Sequence, residues 1–255
     1  MRVLNAIGAV WSRDLKRIVR NRAAMISSLV IPGLFVLAFY AAFSPSAEAV
    51  GFDYPTYLAP SGMLQAIIFT SGGSALAIAL DAENGIHDRV RTCPAPMWAL
   101  ALGRVAADVT RMGWSGGVVV LLAIALGVQC DTSPGSLLAL VALGLGVTVI
   151  LCAGVDGLCL LARRPSSAAL FFQSLTIALL MFSTAYVPAA LLPDWIAPLI
   201  RHVPISPILE TARSFMAGRG AGEAGGEALI WLVVLSGAAF YGLTTGLSRS
   251  HHDDR

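Results

Sequence analysis

Residues 137–161 read LLALVALGLGVTVILCAGVDGLCLL, a stretch with no basic residue and with Asp156 as its only carboxylate. A helix rises about 1.5 Å per residue and a hydrocarbon core is about 30 Å thick, so about 20 apolar residues suffice to cross it. The stretch exceeds that length and reads as a membrane span. Working outward, five further stretches meet the same criterion: 23–43, 61–80, 105–128, 168–187 and 228–247. Two spans are the least purely apolar: 61–80, with Ser71, Gly72, Gly73 and Ser74, and 137–161, with Asp156. Both are expected to pack against protein rather than lipid.

Composition agrees with six spans. Of 255 residues, 56% are hydrophobic and 13% charged, and the mean hydropathy of +0.76 exceeds what a soluble core could absorb. The expected class is an all-α membrane protein, one transmembrane domain over 1–255. A net charge of +2 gives no reason to expect nucleic acid as a partner. Cys93, Cys130, Cys152 and Cys159 lack C-x-x-C spacing, so no metal or redox site is expected. Residues 1–22 are too long and too basic for the n-region of a secretory signal, so the apolar run that follows should remain as an anchor.

The distribution of Arg and Lys sets the expected orientation, because basic residues beside spans stay on the cytoplasmic side. One side holds Arg2, Arg13, Lys16, Arg17, Arg20, Arg22, Arg89, Arg91, Arg104, Arg111, Arg163, Arg164, Arg249 and Arg255, and the other only Arg201, Arg213 and Arg219. Both termini are therefore expected in the cytoplasm, with the chain in the cell membrane.

Three segments outside the spans carry patterns of their own. In 1–22, Val3, Leu4, Ile7, Val10, Trp11, Leu15 and Ile18 share half of a helical wheel, and Arg2, Asn5, Arg13, Lys16, Arg17 and Arg20 the other half. An amphipathic interfacial helix is expected there, either anchoring to the membrane surface or docking a partner. The connection 81–104, DAENGIHDRVRTCPAPMWALALGR, offers a short charged helix broken by Gly85 and closed by Pro94 and Pro96. It suits either a solvated loop or a segment gripped by another protein. The outer connection 188–227 keeps apolar residues between Pro193, Pro198, Pro204 and Pro207, which predicts two re-entrant half-helices, the first starting at Pro193–Asp194 with Trp195 at headgroup level. GRGAGEAGGE, 218–227, reads as a hinge into the last span.

Catalytic motifs are missing. No G-x-x-x-x-G-K-[ST], H-E-x-x-H or G-x-S-x-G occurs, and His87, His202, His251 and His252 fall outside the spans. The chain should not be an enzyme and should bind no cofactor or metal. Asp156 reads as the one carboxylate well inside a span. It suits a proton or substrate site, or a charge paired with Arg111 or Arg163 or wetted from the inside, and a proton relay would need a second acid that the spans do not offer. Gln65 and Gln173 suit either polar contacts in a substrate path or interhelical hydrogen bonds. The pairs Gly113/Gly117 and Gly242/Gly246 allow close helix approach.

Two stretches resemble the type-2 ABC exporter permeases, and within them the daunorubicin-resistance-like permeases of actinobacteria. The first carries Glu83, Gly85, Arg89, Arg91, Pro94, Gly103 and Arg104; the second carries Tyr186, Pro188, Leu192, Pro193, Trp195, Pro204, Pro207, Ala212 and Arg213. With the spans between and around them, the likeness covers essentially the whole chain. Val203 stands where the family often has Asn, and Asp156 lies outside the family pattern.

The resemblance implies that Glu83, Gly85, Asp88, Arg89 and Arg91 form a coupling helix docking into a separate ATP-binding subunit. It implies an external gate, for which Tyr186, Pro188, Pro193 and Trp195 are the candidates. It further implies two ATPase copies, which hold ATP and Mg, and a second permease chain, identical or paralogous. The expected function is export of an amphipathic or apolar compound such as a drug, antibiotic or lipid, because the spans show few charged groups to receive a polar one. The alternatives are a proton-coupled secondary carrier using Asp156 and a non-transporting immunity or scaffold protein.

Overall fold

The computed structural model describes residues 2–20, 22–83, 97–128, 132–162 and 164–249, and these form an all-helical bundle. The helices are α1 (Arg2–Arg20), α2 (Arg22–Glu48), α3 (Tyr54–Glu83), α4 (Met97–Ala125), α5 (Pro134–Leu161), α6 (Pro165–Met181), α7 (Ala197–His202), α8 (Ile205–Met216) and α9 (Gly225–Arg249), with a 3₁₀ turn at Ala189–Leu191. Local chemistry sets several boundaries. Ser133 caps α5 by accepting from the Ser136 amide at 3.1 Å, and Pro134 and Pro165 stand where α5 and α6 start, a position at which proline loses no helix bond.

Among the described residues, five helices are long and apolar enough to cross a membrane: those holding Val30–Glu48, Tyr54–Asp81, Leu102–Ala125, Pro134–Leu161 and Gly225–Thr245. The expected span 168–187 is corrected. α6 is a shorter apolar helix ending at Met181, and residues 182–188 leave it as a non-helical strap. The break has a local cause: Ser183 Oγ donates to the Leu180 carbonyl and accepts from the Ala185 amide, competing with the next helical turn.

α3 is the central element. Its spanning stretch is 61% buried, whereas that of α9 is 11% buried and exposes Leu229, Ile230, Val233, Phe240 and Tyr241 as a lipid-facing helix would. The main core joins Val36, Leu58, Ile68, Met112, Leu180, Tyr186 and Leu209; a second cluster joins Ala75, Ile78, Val155, Cys159 and Ala169. The expectation that the Asp156 helix packs on protein holds for one half of α5. Its buried residues begin at Val147, while Leu137 and Leu138 are exposed.

Close approaches occur where side chains vanish. A Cβ on Gly157 would lie 2.6 Å from the Gly242 carbonyl carbon, so α5 and α9 touch backbone to backbone. Gly113 and Gly117 have nothing within 4 Å where a Cβ would stand, so that expected pair serves no contact among the described residues. α1 is amphipathic as its wheel predicts, yet part of its apolar face is taken up by α4. Val10 and the Ile7 carbonyl crowd Gly103, and Trp11 Nε1 donates to Thr110 Oγ1 at 3.1 Å.

The connection 188–227 contains two short helices, α7 and α8. Pro193 does not begin α7; its carbonyl accepts from the amides of Ile196 and Ala197, and Pro198 occupies the first turn instead. Gly218, Gly220 and Gly222 take φ of 67°, 70° and 65° in the following turn, left-handed values that favour glycine.

Candidate functional site

Two polar assemblies stand at opposite ends of α3. At the end shared with α1, a cavity of about 360 Å³ is walled by apolar side chains, including Ile31, Phe69, Leu76 and Leu170, and by a set of charges. Asp81, near the last turn of α3, accepts from Arg17 Nη1 at 2.7 Å and Arg13 Nη2 at 3.2 Å, with Arg104 Nη2 of α4 at 3.7 Å. Arg13 also pairs with Asp14 at 2.9 Å. One carboxylate therefore ties together α1 and both helices that flank residues 84–96.

Deeper in the cavity, Asp108 Oδ2 accepts from Ser74 Oγ at 2.8 Å. Its other oxygen lies 3.7 Å from Arg111 Nη1, which donates to the Thr70 carbonyl at 3.2 Å. Gly72 and Gly73 make room for the neighbouring side chains. A Cβ on Gly73 would stand 2.9 Å from Arg111 Nη1, and one on Gly72 would overlap the Gln173 carboxamide of α6. Gln173 lines this cavity, but among the described residues neither amide atom has a hydrogen-bond partner.

At the other end, the strap after α6 is tied on both sides. From α3, Tyr54 donates to the Tyr186 carbonyl, Tyr57 to that of Thr184 and Ser61 to that of Ala185. From α8, Ser206 Oγ accepts from the Thr184 amide and donates to the Ile200 carbonyl. Arg213 completes the tie. Its Nη2 reaches Ser61 Oγ at 3.1 Å and the carbonyls of Thr184 and Ala185 at 2.9 and 3.3 Å, Nε reaches the Tyr57 carbonyl at 3.1 Å, and Nη1 reaches Glu210 at 2.8 Å. Cζ lies 3.5 Å from the centre of the Tyr57 ring, a cation–π contact. Burial pushes the guanidinium down from its usual pKa, opposed by Tyr57 and Glu210, and a guanidinium keeps its proton in proteins.

The residues expected to act together fall into different places. Tyr186 is buried, stacks on Phe39 at 3.9 Å between ring centres, and donates to Gln65 Oε1 at 3.1 Å. Gln65 and Tyr186, expected in separate roles, thus form one buried pair. Pro188 precedes the 3₁₀ turn, and Pro193 and Trp195 lie on the surface, Trp195 at 80% exposure. Gly85, Asp88, Arg89 and Arg91 lie outside the described residues, as do Arg163, Cys93 and Cys130; Glu83 closes α3.

The reading of Asp156 needs two corrections. It is 6% exposed and Oδ1 has no hydrogen-bond partner among the described residues; Arg111 turns to Asp108 instead. Nor is it the only acid in the bundle. Asp108 is buried in α4 and Asp81 in α3, so the spans carry more charge than their hydropathy suggests. The missed signal was an i, i+3 acid–base pair, Asp108 and Arg111, lying inside the expected span 105–128. Arg213 counted only as an outer charge and a motif position, and Gly72 and Gly73 only as small residues.

No curated protein matches the chain. A family model described as ABC-2 type transporter matches residues 5–217, a range that takes in α1, the charge hub at Asp81, the cavity, the strap and Arg213. The chain therefore belongs to the ABC-2 type transporter family, as a membrane permease subunit of an ABC transporter.

Proposed function

We propose that this permease moves an amphipathic or apolar compound (a drug, antibiotic or lipid) out of the cell, driven by ATP hydrolysed on a separate subunit, and that it is of the daunorubicin-resistance-like kind. The observation that carries the proposal is the placement of the cavity. Asp81 and Arg104, which flank the stretch 84–96 in sequence, are joined at 3.7 Å and line the cavity wall. A push on that stretch is therefore transmitted to the walls of a partly apolar chamber. Glu83, Gly85, Asp88, Arg89 and Arg91 then dock the ATPase, and closure of the ATPase dimer shifts the population between inward and outward states.

In this scheme the α1 end and both termini are cytoplasmic, as the positive-inside rule favours. α6, at 17 residues, is the fifth and shortest of six spans, and the strap with α7 and α8 belongs to the outer side, where Tyr186, Pro188, Pro193 and Trp195 gate exit. Two ATPases, holding ATP and Mg, serve two permease chains, identical or paralogous. This chain itself carries no ATPase chemistry.

The test is co-purification with the ATP-binding subunit, followed by vanadate-sensitive ATP turnover and export into inverted vesicles. Glu83→Ala with Arg89→Ala should abolish coupling while each subunit still folds. Intact coupling in that variant removes the docking assignment, and transport lost in Asp156→Asn with normal folding brings proton coupling back.

A further inference from the structure

We propose that the cavity between α3, α4 and α6 receives an oxyanion head group, a carboxylate or phosphate, of an amphipathic cargo, with Arg111 as its anchoring cation and Gln173 as its second hydrogen-bonding group. This deepens the export proposal and rests on it.

The argument begins with which groups are already paired. Asp81 has Arg13, Arg17 and Arg104; Asp14 has Arg13; Asp108 has Ser74. A cationic head entering the cavity would have to displace an arginine from Asp14 or Asp81, or compete with Ser74 and the nearby Arg111 at Asp108. Arg111 is in the opposite situation. Its side chain is 13% exposed, and its partners among the described residues are one carbonyl, at 3.2 Å, and Asp108 at 3.7 Å. A guanidinium offers five N–H donors in a fork that matches an oxyanion, so most of its hydrogen-bonding capacity is uncommitted.

Gln173 supplies the independent observation. A buried carboxamide with neither atom paired is rare in folded proteins, and here it lies in the notch at Gly72, one residue from the notch occupied by Arg111. A turn about its own side-chain bonds brings the amide into the cavity it lines, where its NH₂ can donate to the same anion. The apolar residues Ile31, Phe69 and Leu170 then face the tail. Adjacent glycines on α3 are what allow both polar groups to lie flat against the helix.

The experiment uses the full chain purified in an uncharged maltoside detergent, with dodecyl phosphate as probe and dodecanol and dodecyltrimethylammonium as controls, binding being read by thermal shift and titration. Dodecyl phosphate should bind tighter than either control. Gln173→Leu and Arg111→Gln should each weaken it, the latter about tenfold or more, without changing dodecanol binding. Because Arg111→Gln removes a buried charge and can unfold the chain, Gly72→Ala provides a second route: its methyl displaces the Gln173 amide, and affinity should change while Arg111 stays. Equal binding of all three probes, or affinities unchanged in both Gln173→Leu and Gly72→Ala, overturns the proposal. Repeating the titration in phosphatidylcholine vesicles with and without phosphatidylglycerol assigns the source. Competition by phosphatidylglycerol identifies a lipid head group, and its absence a free amphipath. Binding is read without the ATPase, so a failure here is distinct from a failure of vanadate-sensitive turnover.

Discussion

The two ends of α3 use arginine in opposite ways. At the strap end, Arg213 is largely buried, its side chain 9% exposed, with all three of its nitrogens engaged, and every partner but Glu210 is neutral. At the α1 end, Arg111 reaches one carbonyl and one distant carboxylate, beside a carboxamide that reaches nothing among the described residues. A guanidinium with its donors engaged holds backbone in place; one with donors to spare is prepared for a ligand. The strap is accordingly a construction element and the cavity a reception site, although both are charged and both lie within an apolar bundle.

Substitution at each end should separate these roles. The largest effect is expected from Arg213→Ala, which removes at once the ties from α8 to Tyr57, Ser61, Thr184 and Ala185 and should cost about 3 kcal/mol or more, read as a fall in melting temperature and in membrane-inserted yield. Arg213→Lys, which keeps the charge but loses the fork, should fall between the wild type and Ala. If Lys restores full stability, charge rather than the fork is what matters.

Asp81→Asn comes next. Its arginine partners on α1 are about two-fifths exposed, at 42% and 41% for Arg13 and Arg17, so screening limits the loss to about 1–2 kcal/mol. Its signature should be faster tryptic cleavage after Arg13 and Arg17, because α1 loses its tie to α3. Tyr57→Phe removes one hydroxyl from the strap and should cost about 1 kcal/mol. Smallest, and opposite in sign, is Gln173→Leu: replacing a buried unpaired amide by an apolar group should leave stability unchanged or raise it by up to about 1 kcal/mol. A large loss there would mean that the Gln173 amide is structurally engaged and would erase the contrast between the ends.

The helical class, the amphipathic first helix and most spans were legible from periodicity and length, since those properties are local. Span ends were less so. Residues 182–187, FSTAYV, are apolar enough to continue a span, and only the Ser183–Thr184 pair hints that the backbone departs from helix. The strap's fastening was out of reach because Arg213 meets Tyr57 across 156 positions and Tyr186 meets Gln65 across 121. No spacing rule covers such separations. Likewise Gly72 declares itself a small residue on α3, but that Gln173 of α6 fills its notch follows only from how those two helices pack.

With α6 as a span, as proposed, its early end also bears on the bilayer. Seventeen residues span about 26 Å, short of a hydrocarbon core of about 30 Å, and the helix presents Phe171, Leu175 and Met181 outward. A short lipid-facing helix is accommodated by thinning of the surrounding membrane, by snorkelling of flanking residues or by oligomerisation. Where thinning is the response, the lipid tails beside α6 are compressed relative to those beside the longer helices, and the insulating layer on that flank is narrower.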